Sequence, residues 1–298
     1  MPFVILLALM LSFVVALALA MVRDRLDSRF RYPEQAVDEL GLDVLGMVPT
    51  VKRAALGHGE HAAQVTEGFR AIRMTVANVF GPEQRFTLTV SSPAPGDGKS
   101  FVSANLALSL AAAGSHTLLV DGDLRRGELH RRFGLDVAPG LVDWLTGEAS
   151  LDDTLRVTTD GNLTLMPRGT FRPDAPELLN GAKVKELVTK LQQRFTTVII
   201  DSPPLGAGID PLVFGAASGN LVVVLRAGET DRRMAEAQLQ VVRRLPIRVI
   251  GTVLNDVSDT GAYQYYGYMD SDLRSRGSEL LDVTRQADFA RRSGLLAR

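Results

Sequence analysis

Apolar residues recur along the chain in short unbroken runs, separated by amphipathic stretches at helical spacing. The runs at 86–92, 117–121, 162–166, 197–201, 220–225 and 248–254 are rich in Val, Ile, Leu and Thr. Unbroken runs of this length fit strands buried on both faces. Helical patterns cover 99–113, 176–195, 210–217 and 231–244 between them, and another at 66–79 precedes the first strand. This alternation predicts an α/β fold, a mostly parallel sheet with helices on both faces. Ligands of such a sheet gather at the carboxyl ends of its strands.

The first sixty residues break the pattern. Residues 3–22 carry no charge, and their only polar residue is Ser12. Twenty apolar residues match the roughly 30 Å hydrocarbon core of a bilayer. Arg23, Arg25, Arg29 and Arg31 follow, while nothing basic precedes. That asymmetry places the arginines on the cytoplasmic side of a membrane. A cleaved signal peptide carries its charge before the apolar run, so 1–22 reads as one retained transmembrane helix. Residues 23–60, broken by Pro33, Gly41, Gly46 and Pro49, read as a juxtamembrane linker with short helical pieces. The α/β domain is expected over 61–257, and 258–298 as a tail.

Candidate chemistry sits where strands end. The run from Leu88 continues as LTVSSPAPGDGKS and leads directly into a helix. A Gly-rich turn ending in Gly-Lys-Ser between strand and helix cradles nucleotide phosphates. Pro95, Gly96, Asp97 and Gly98 shape the turn, Lys99 supplies a point charge and Ser100 a hydroxyl for Mg²⁺. Phe101 begins the helix, whose N-terminus adds its dipole. The expected fold is therefore of the P-loop NTPase type. Asp121 and Asp123 close the run at 117–121, two apart and able to converge, and Asp201 closes 197–201. Mg²⁺ takes few protein oxygens and retains waters, so one or two of these carboxylates with Ser100 and the phosphates would suffice. Asn255 closes the last run, and the likeness to P-loop folds implies a contact with the nucleotide base there.

Composition narrows the chemistry. The chain has 298 residues, a net charge of −1 and no cysteine. Disulfides, thiol catalysis and zinc–thiolate sites are excluded, and the charge gives no reason to expect nucleic-acid binding. Four of the five tyrosines, Tyr263, Tyr265, Tyr266 and Tyr268, cluster in a polar, Gly-containing stretch.

The set SSPAPGDGKS, LLVDGDLRR and VIIDSPP resembles the Walker A, A′ and B motifs of the bacterial tyrosine kinases (BY-kinases). Glu67, Arg70 and Arg73 fit that family's E-x-x-R-x-x-R oligomerisation motif, and PE followed by GLDVLGMVP resembles its membrane-proximal segment. The resemblance runs over about residues 3–268. It implies ATP and Mg²⁺ as cofactors, with Lys99, Asp121, Asp123 and Asp201 as catalytic residues, Asp121 as the candidate base, and Ser100, Asp123 and Asp201 as the metal set. It also implies a ring-like homo-oligomer through Glu67, Arg70 and Arg73. The tyrosine cluster becomes the phosphoacceptor, modified in trans, with each phosphate adding roughly −1.5 to −2 charge. Further implications are the bacterial inner membrane, a role in capsular or exopolysaccharide synthesis and export, and a phosphatase that resets the cycle. A polysaccharide co-polymerase with an external domain is implied too, on a separate chain or as the preceding part of a longer product. Two alternatives stay open. One is a switch ATPase of the septum-positioning or partition type, although that group has a second lysine where this chain has Ala94. The other is a non-catalytic ATP-binding scaffold of an export complex.

Overall fold

The computed structural model describes residues 2–50, 59–81 and 85–258. Its centre is a sheet of eight strands among the described residues: β1 (Val44–Pro49), β2 (Phe86–Ser91), β3 (Thr117–Asp121), β4 (Arg156–Val157), β5 (Leu163–Met166), β6 (Thr197–Asp201), β7 (Asn220–Arg226) and β8 (Arg248–Val257). Their order is β1-β8-β7-β2-β6-β3-β5-β4. Every pairing is parallel except β4 with β5.

Side chains alternate across the strands, and the two faces are covered by different helices. Leu88, Val90, Leu119, Ile199 and Val222 meet α3 (Gly59–Phe80) and α4 (Lys99–Ala112) on one face. On the other, Leu118, Val120, Val198 and Ile200 meet α6 (Leu141–Thr146), α7 (Gly181–Arg194) and α8 (Asp210–Ser218). Leu221, Val223 and Leu225 on that same side of β7 pack with α2 (Pro33–Leu40) and α9 (Arg232–Val242). The short α5 (Leu129–Phe133) follows β3. The expected two-face parallel architecture is thus present.

Residues 33–49 are not simply linker. They form α2, ended by Gly41 at φ +61, and β1, which pairs with β8. Gly46 and Pro49 misled the sequence reading because both are breakers in isolation. In the fold β1 is an edge strand, where proline is tolerated. Gly46 is needed for close packing, since a Cβ there would lie 2.6 Å from Ile72 Cγ1 of α3.

The first helix, α1, runs over Pro2–Leu26, 25 residues, or roughly 37 Å at helical rise. Its described apolar side chains are exposed, Phe3 and Phe13 among them. Among the described residues no helix is long and apolar enough to cross a membrane. Beyond α1 the chain joins the domain at once. Phe30 is fully buried, its N–H donates to Thr230 and its carbonyl accepts from Gly228. The linker at 51–58 and the tail at 259–298 lie outside the described residues.

Candidate active site

The strand order sets the carboxyl ends of β8, β7, β2, β6 and β3 side by side, so residues remote in sequence share one edge. β2 ends at Ser91 and the chain turns through 92–98 into α4. Gly96 and Gly98 have φ of +92° and +94°, a region where other residues are strained. Gly98 also has no room for a side chain, because a Cβ would lie 2.1 Å from Asn255 Nδ2. Asn255 donates that nitrogen to the Asp97 carbonyl oxygen at 2.9 Å. It therefore braces the last turn of the loop.

Asp97 is buried, and its carboxylate is used inside the loop. Oδ2 accepts from the Ala94 N–H at 2.9 Å and Oδ1 from the Thr230 hydroxyl at 3.0 Å. Burial raises its pKa, against the pull of those two hydrogen bonds. Thr230→Val keeps the shape but removes the donor. The expected cost is about 1–2 kcal/mol, with a several-fold weaker affinity for a fluorescent ATP analogue. Denaturant melts and a nucleotide titration measure the two.

Lys99 opens α4, whose first turn holds no acidic residue and no side-chain cap. Its Nζ lies 3.2 Å from Asp123 Oδ2 and 3.2 Å from Ser100 Oγ. The positive end of the helix and the ammonium act in the same direction, both favouring an anion.

Asp121 and Asp201 end neighbouring strands and pair directly in register. Both are buried. Asp121 Oδ2 accepts from the Leu129 N–H at 3.0 Å, and Asp201 Oδ1 from Ser103 Oγ at 3.1 Å. The other oxygens, Asp121 Oδ1 and Asp201 Oδ2, are buried with no hydrogen-bond partner. Burial, reinforced by the charge of Asp201, pushes the Asp121 carboxyl up to about 8. Burial also raises Asp201, against the attraction of Lys99. Open carboxylate oxygens are costly inside a protein, and a cation with its waters would satisfy them. Among the described residues no group of three or more His, Cys, Asp or Glu is arranged as a metal centre. A hydroxyl and one or two carboxylates beside a phosphate loop suit Mg²⁺ nonetheless, because most of its ligands come from water and phosphate.

A cavity of about 250 Å³ opens beside the loop, lined by Pro49, Gly96, Phe101, Arg226, Asn255 and Asp256. Arg226 pairs with Asp256 at 2.8 Å and reaches the Gly96 carbonyl at 3.4 Å. Of the predicted cofactor-binding residues, Gly96, Phe101 and Asn255 line this opening, while Lys99, Asp121, Asp123 and Asp201 lie at the same carboxyl edge of the sheet.

The Glu67, Arg70 and Arg73 stripe lies on α3. Glu67 and Arg70 pair with each other at 3.1 Å and are exposed, whereas Arg73 donates to the Ser109 carbonyl at 3.0 Å. Phe69 of the same helix meets Phe101 edge-on, ring centroids 5.8 Å apart, so α3 packs against a residue that lines the cavity. Tyr263, Tyr265, Tyr266 and Tyr268 lie outside the described residues.

Several participants have no sequence signal of their own. Thr230 precedes the helical pattern at 231–244, and Arg226 follows the apolar run at 220–225. Gly127 sits against Asp121, where a Cβ would come within 2.2 Å of Oδ1. Ser103, one helical turn past Lys99, holds Asp201, and its spacing from Lys99 was the one available clue.

No protein-family model matches the chain. Individual proteins do. The chain is similar to the tyrosine-protein kinase ptk of Acinetobacter johnsonii, 32% identical over 230 residues, covering 77% of this chain and 31% of that one. It is also 32% identical over 214 residues to the tyrosine-protein kinase CpsD of Streptococcus agalactiae, covering 70% of this chain and 93% of that one. It thus spans about a third of the first relative and nearly all of the second. Among solved structures, the kinase domain of the Escherichia coli tyrosine kinase ETK superposes with a TM-score of 0.68 at 25% identity, covering 75% of this chain and 94% of that one. With the phosphate loop, the paired strand-end aspartates and these relatives together, the chain belongs to the family of bacterial tyrosine-protein kinases.

Proposed function

We propose that the chain is a membrane-anchored protein-tyrosine autokinase, using ATP and Mg²⁺ to phosphorylate Tyr263, Tyr265, Tyr266 and Tyr268 of a neighbouring copy. One observation carries the reading. Two buried strand-end carboxyls with open oxygens, Asp121 and Asp201, lie beside a Gly-Lys-Ser loop whose lysine is paired with Asp123, two residues past Asp121. Lys99, the loop N–H groups and the start of α4 would hold the phosphates, with Ser100, Asp123 and Asp201 beside the metal. Bound Mg²⁺ would neutralise phosphate charge during transfer. Asp121 suits the role of proton acceptor. Its carboxyl, raised to about 8 in the empty site, accepts a proton in its ionised form, which the Lys99 ammonium and a bound cation would favour. In the transfer the bond from the terminal phosphorus to ADP breaks and one to the tyrosine oxygen forms, while the hydroxyl proton passes to Asp121.

Anchoring rests on the charge-free run at 3–22, its exposed apolar side chains and the arginines after it. Glu67 and Arg70, exposed on α3, are available to a neighbouring subunit in a ring. By resemblance the kinase would serve capsular or exopolysaccharide synthesis and export at the bacterial inner membrane. A polysaccharide co-polymerase and a protein-tyrosine phosphatase would be its partners.

Incubation of the detergent-solubilised full chain with ATP and Mg²⁺, followed by phosphotyrosine mapping, tests this. Modification confined to 263–268, and lost when those four tyrosines become Phe, is the expected result. ATP turnover without phosphotyrosine would favour a switch ATPase, and nucleotide binding without either reaction a scaffold.

A further inference from the structure

Asn255 and Asp256 are consecutive residues of β8, yet both line the cavity beside the phosphate loop. Consecutive side chains of a regular strand point to opposite faces. The pairing of β8 with β1 explains the exception. Met47 lies opposite Leu254 and Pro49 opposite Val257, so over that interval β8 carries one residue more than β1, the count of a bulge. Asp256 takes up the extra length at φ +62, and among the described residues it alone has positive φ without being glycine. Aspartate is one of the few residues that tolerate this region. A strained conformation kept beside a site points to a use.

The use lies in what the re-aimed carboxylate holds. Its Oδ2 accepts from Arg226 Nε at 2.9 Å and lies 2.8 Å from Nη2. Arg226 ends β7, opposite Asn255 in register. Its remaining nitrogen, Nη1, donates to the Gly96 carbonyl at 3.4 Å, while Asn255 donates to the next carbonyl, that of Asp97. Two successive carbonyls of the phosphate loop are therefore tied to the ends of β7 and β8.

In a planar trans peptide the N–H points opposite to the C=O. The N–H groups of Asp97 and Gly98 are thus turned away from β7 and β8, and among the described residues neither meets an acceptor. The sheet order places β6 and β3 on that other side of β2, where Lys99 pairs with Asp123. Successive N–H groups turned one way make an anion-binding nest.

We infer that Asp256 and Arg226 are positioning residues for nucleotide phosphates. The bulge aims the Asp256 carboxylate at Arg226, Arg226 and Asn255 fix the peptides of 96–98, and the N–H groups of Asp97 and Gly98 are thereby set toward the anion. The pair acts through the loop rather than on the base. The inference rests on the phosphate-loop reading and does not depend on which group finally accepts the phosphoryl.

Displacement of a fluorescent ATP analogue from the detergent-solubilised full chain by ATP, inorganic tripolyphosphate or adenosine tests it, with Mg²⁺ present throughout. Asp256→Gly accepts the positive φ but removes the carboxylate. Charge alone predicts that losing an anion beside the cavity tightens phosphate binding, whereas loss of positioning predicts the reverse. ATP and tripolyphosphate are expected to bind about tenfold more weakly, with adenosine unchanged. Asp256→Asn keeps both the backbone preference and an acceptor oxygen, and holds ATP affinity within about threefold of the native chain. Arg226→Lys keeps the charge but not the fork that reaches Asp256 and Gly96 together. It weakens ATP about tenfold as well, and decides the matter should Asp256→Gly fail to fold. Unchanged or tighter ATP binding by Asp256→Gly or Arg226→Lys overturns the inference, as does a loss for adenosine as large as that for tripolyphosphate. Nucleotide binding that responds as stated, without any phosphotyrosine, would leave the positioning standing and remove the kinase.

Discussion

Lys99→Met should lower the rate of phosphotyrosine formation at least about a thousandfold while the chain still folds. The Nζ of Lys99 sits between Asp123 and Ser100 at 3.2 Å from each, at the positive end of α4. Methionine fills nearly the same volume in this mostly buried position, so packing is kept. Two things are lost. The terminal phosphates lose their point charge, and Asp123 Oδ2 loses its partner. The attraction that Lys99 exerts on Asp121 and Asp201 disappears too, so both carboxyls rise further. A site that had drawn anions then presents mainly acidic groups to them. Initial rates at saturating ATP, with a thermal melt as the folding control, measure the effect. A rate within tenfold of the native chain, on a folded protein, would remove Lys99 from the transfer step.

Asp121→Asn should stabilise the nucleotide-free protein by roughly 3–5 kcal/mol at pH 8–9, with little effect near pH 4. The carboxyl is fully buried, and burial with the Asp201 charge raises it from 3.8 to about 8. Below 3.8 the folded and unfolded states both hold the proton. Between 3.8 and about 8 only the folded state does, so unfolding releases a proton and stability falls as pH rises. Above about 8 the folded chain carries a buried charge next to Asp201, and the loss is complete. Asparagine keeps an oxygen for the Leu129 N–H and removes the titration. The two proteins should therefore diverge steadily across pH 4–8 in denaturant melts. Parallel stability curves would show that Asp121 is not held protonated. The same substitution should slow phosphotyrosine formation, since the amide accepts no proton. A group that costs the empty fold stability yet serves the reaction is a common trade at active sites.

How much of this was legible beforehand follows from where each interaction is encoded. The central strands were readable because both of their faces are buried, which forces unbroken apolar runs such as Thr197–Asp201. β1 was not readable, since Gly46 is set by Ile72 and Pro49 by an edge position, and neither neighbour is near in sequence. Helix α7 begins at Gly181 rather than 176, because Asn180 caps it through the Ala182 N–H. A periodicity argument runs through such a cap.

The site divides in the same way. Residue type and spacing alone marked Lys99, Ser100, Asp121, Asp123 and Asp201, because a phosphate loop and strand-end carboxylates are local devices with local signatures. The assignment to a kinase family rested on those signatures read together. Only the tertiary structure decided which carboxyl oxygens are left open, that Asp121 stands against Asp201, and that Thr230 and Asn255 brace the loop. It also decided that Arg73 is tied to Ser109 while Glu67 and Arg70 stay exposed. Burial and charge proximity are properties of the assembled sheet: strands β3 and β6 are eighty residues apart at their ends, Asp121 and Asp201, and nothing in either segment alone specifies that they meet. Local chemistry is written in adjacent residues, whereas the electrostatics that tune it arise when distant strands are brought edge to edge.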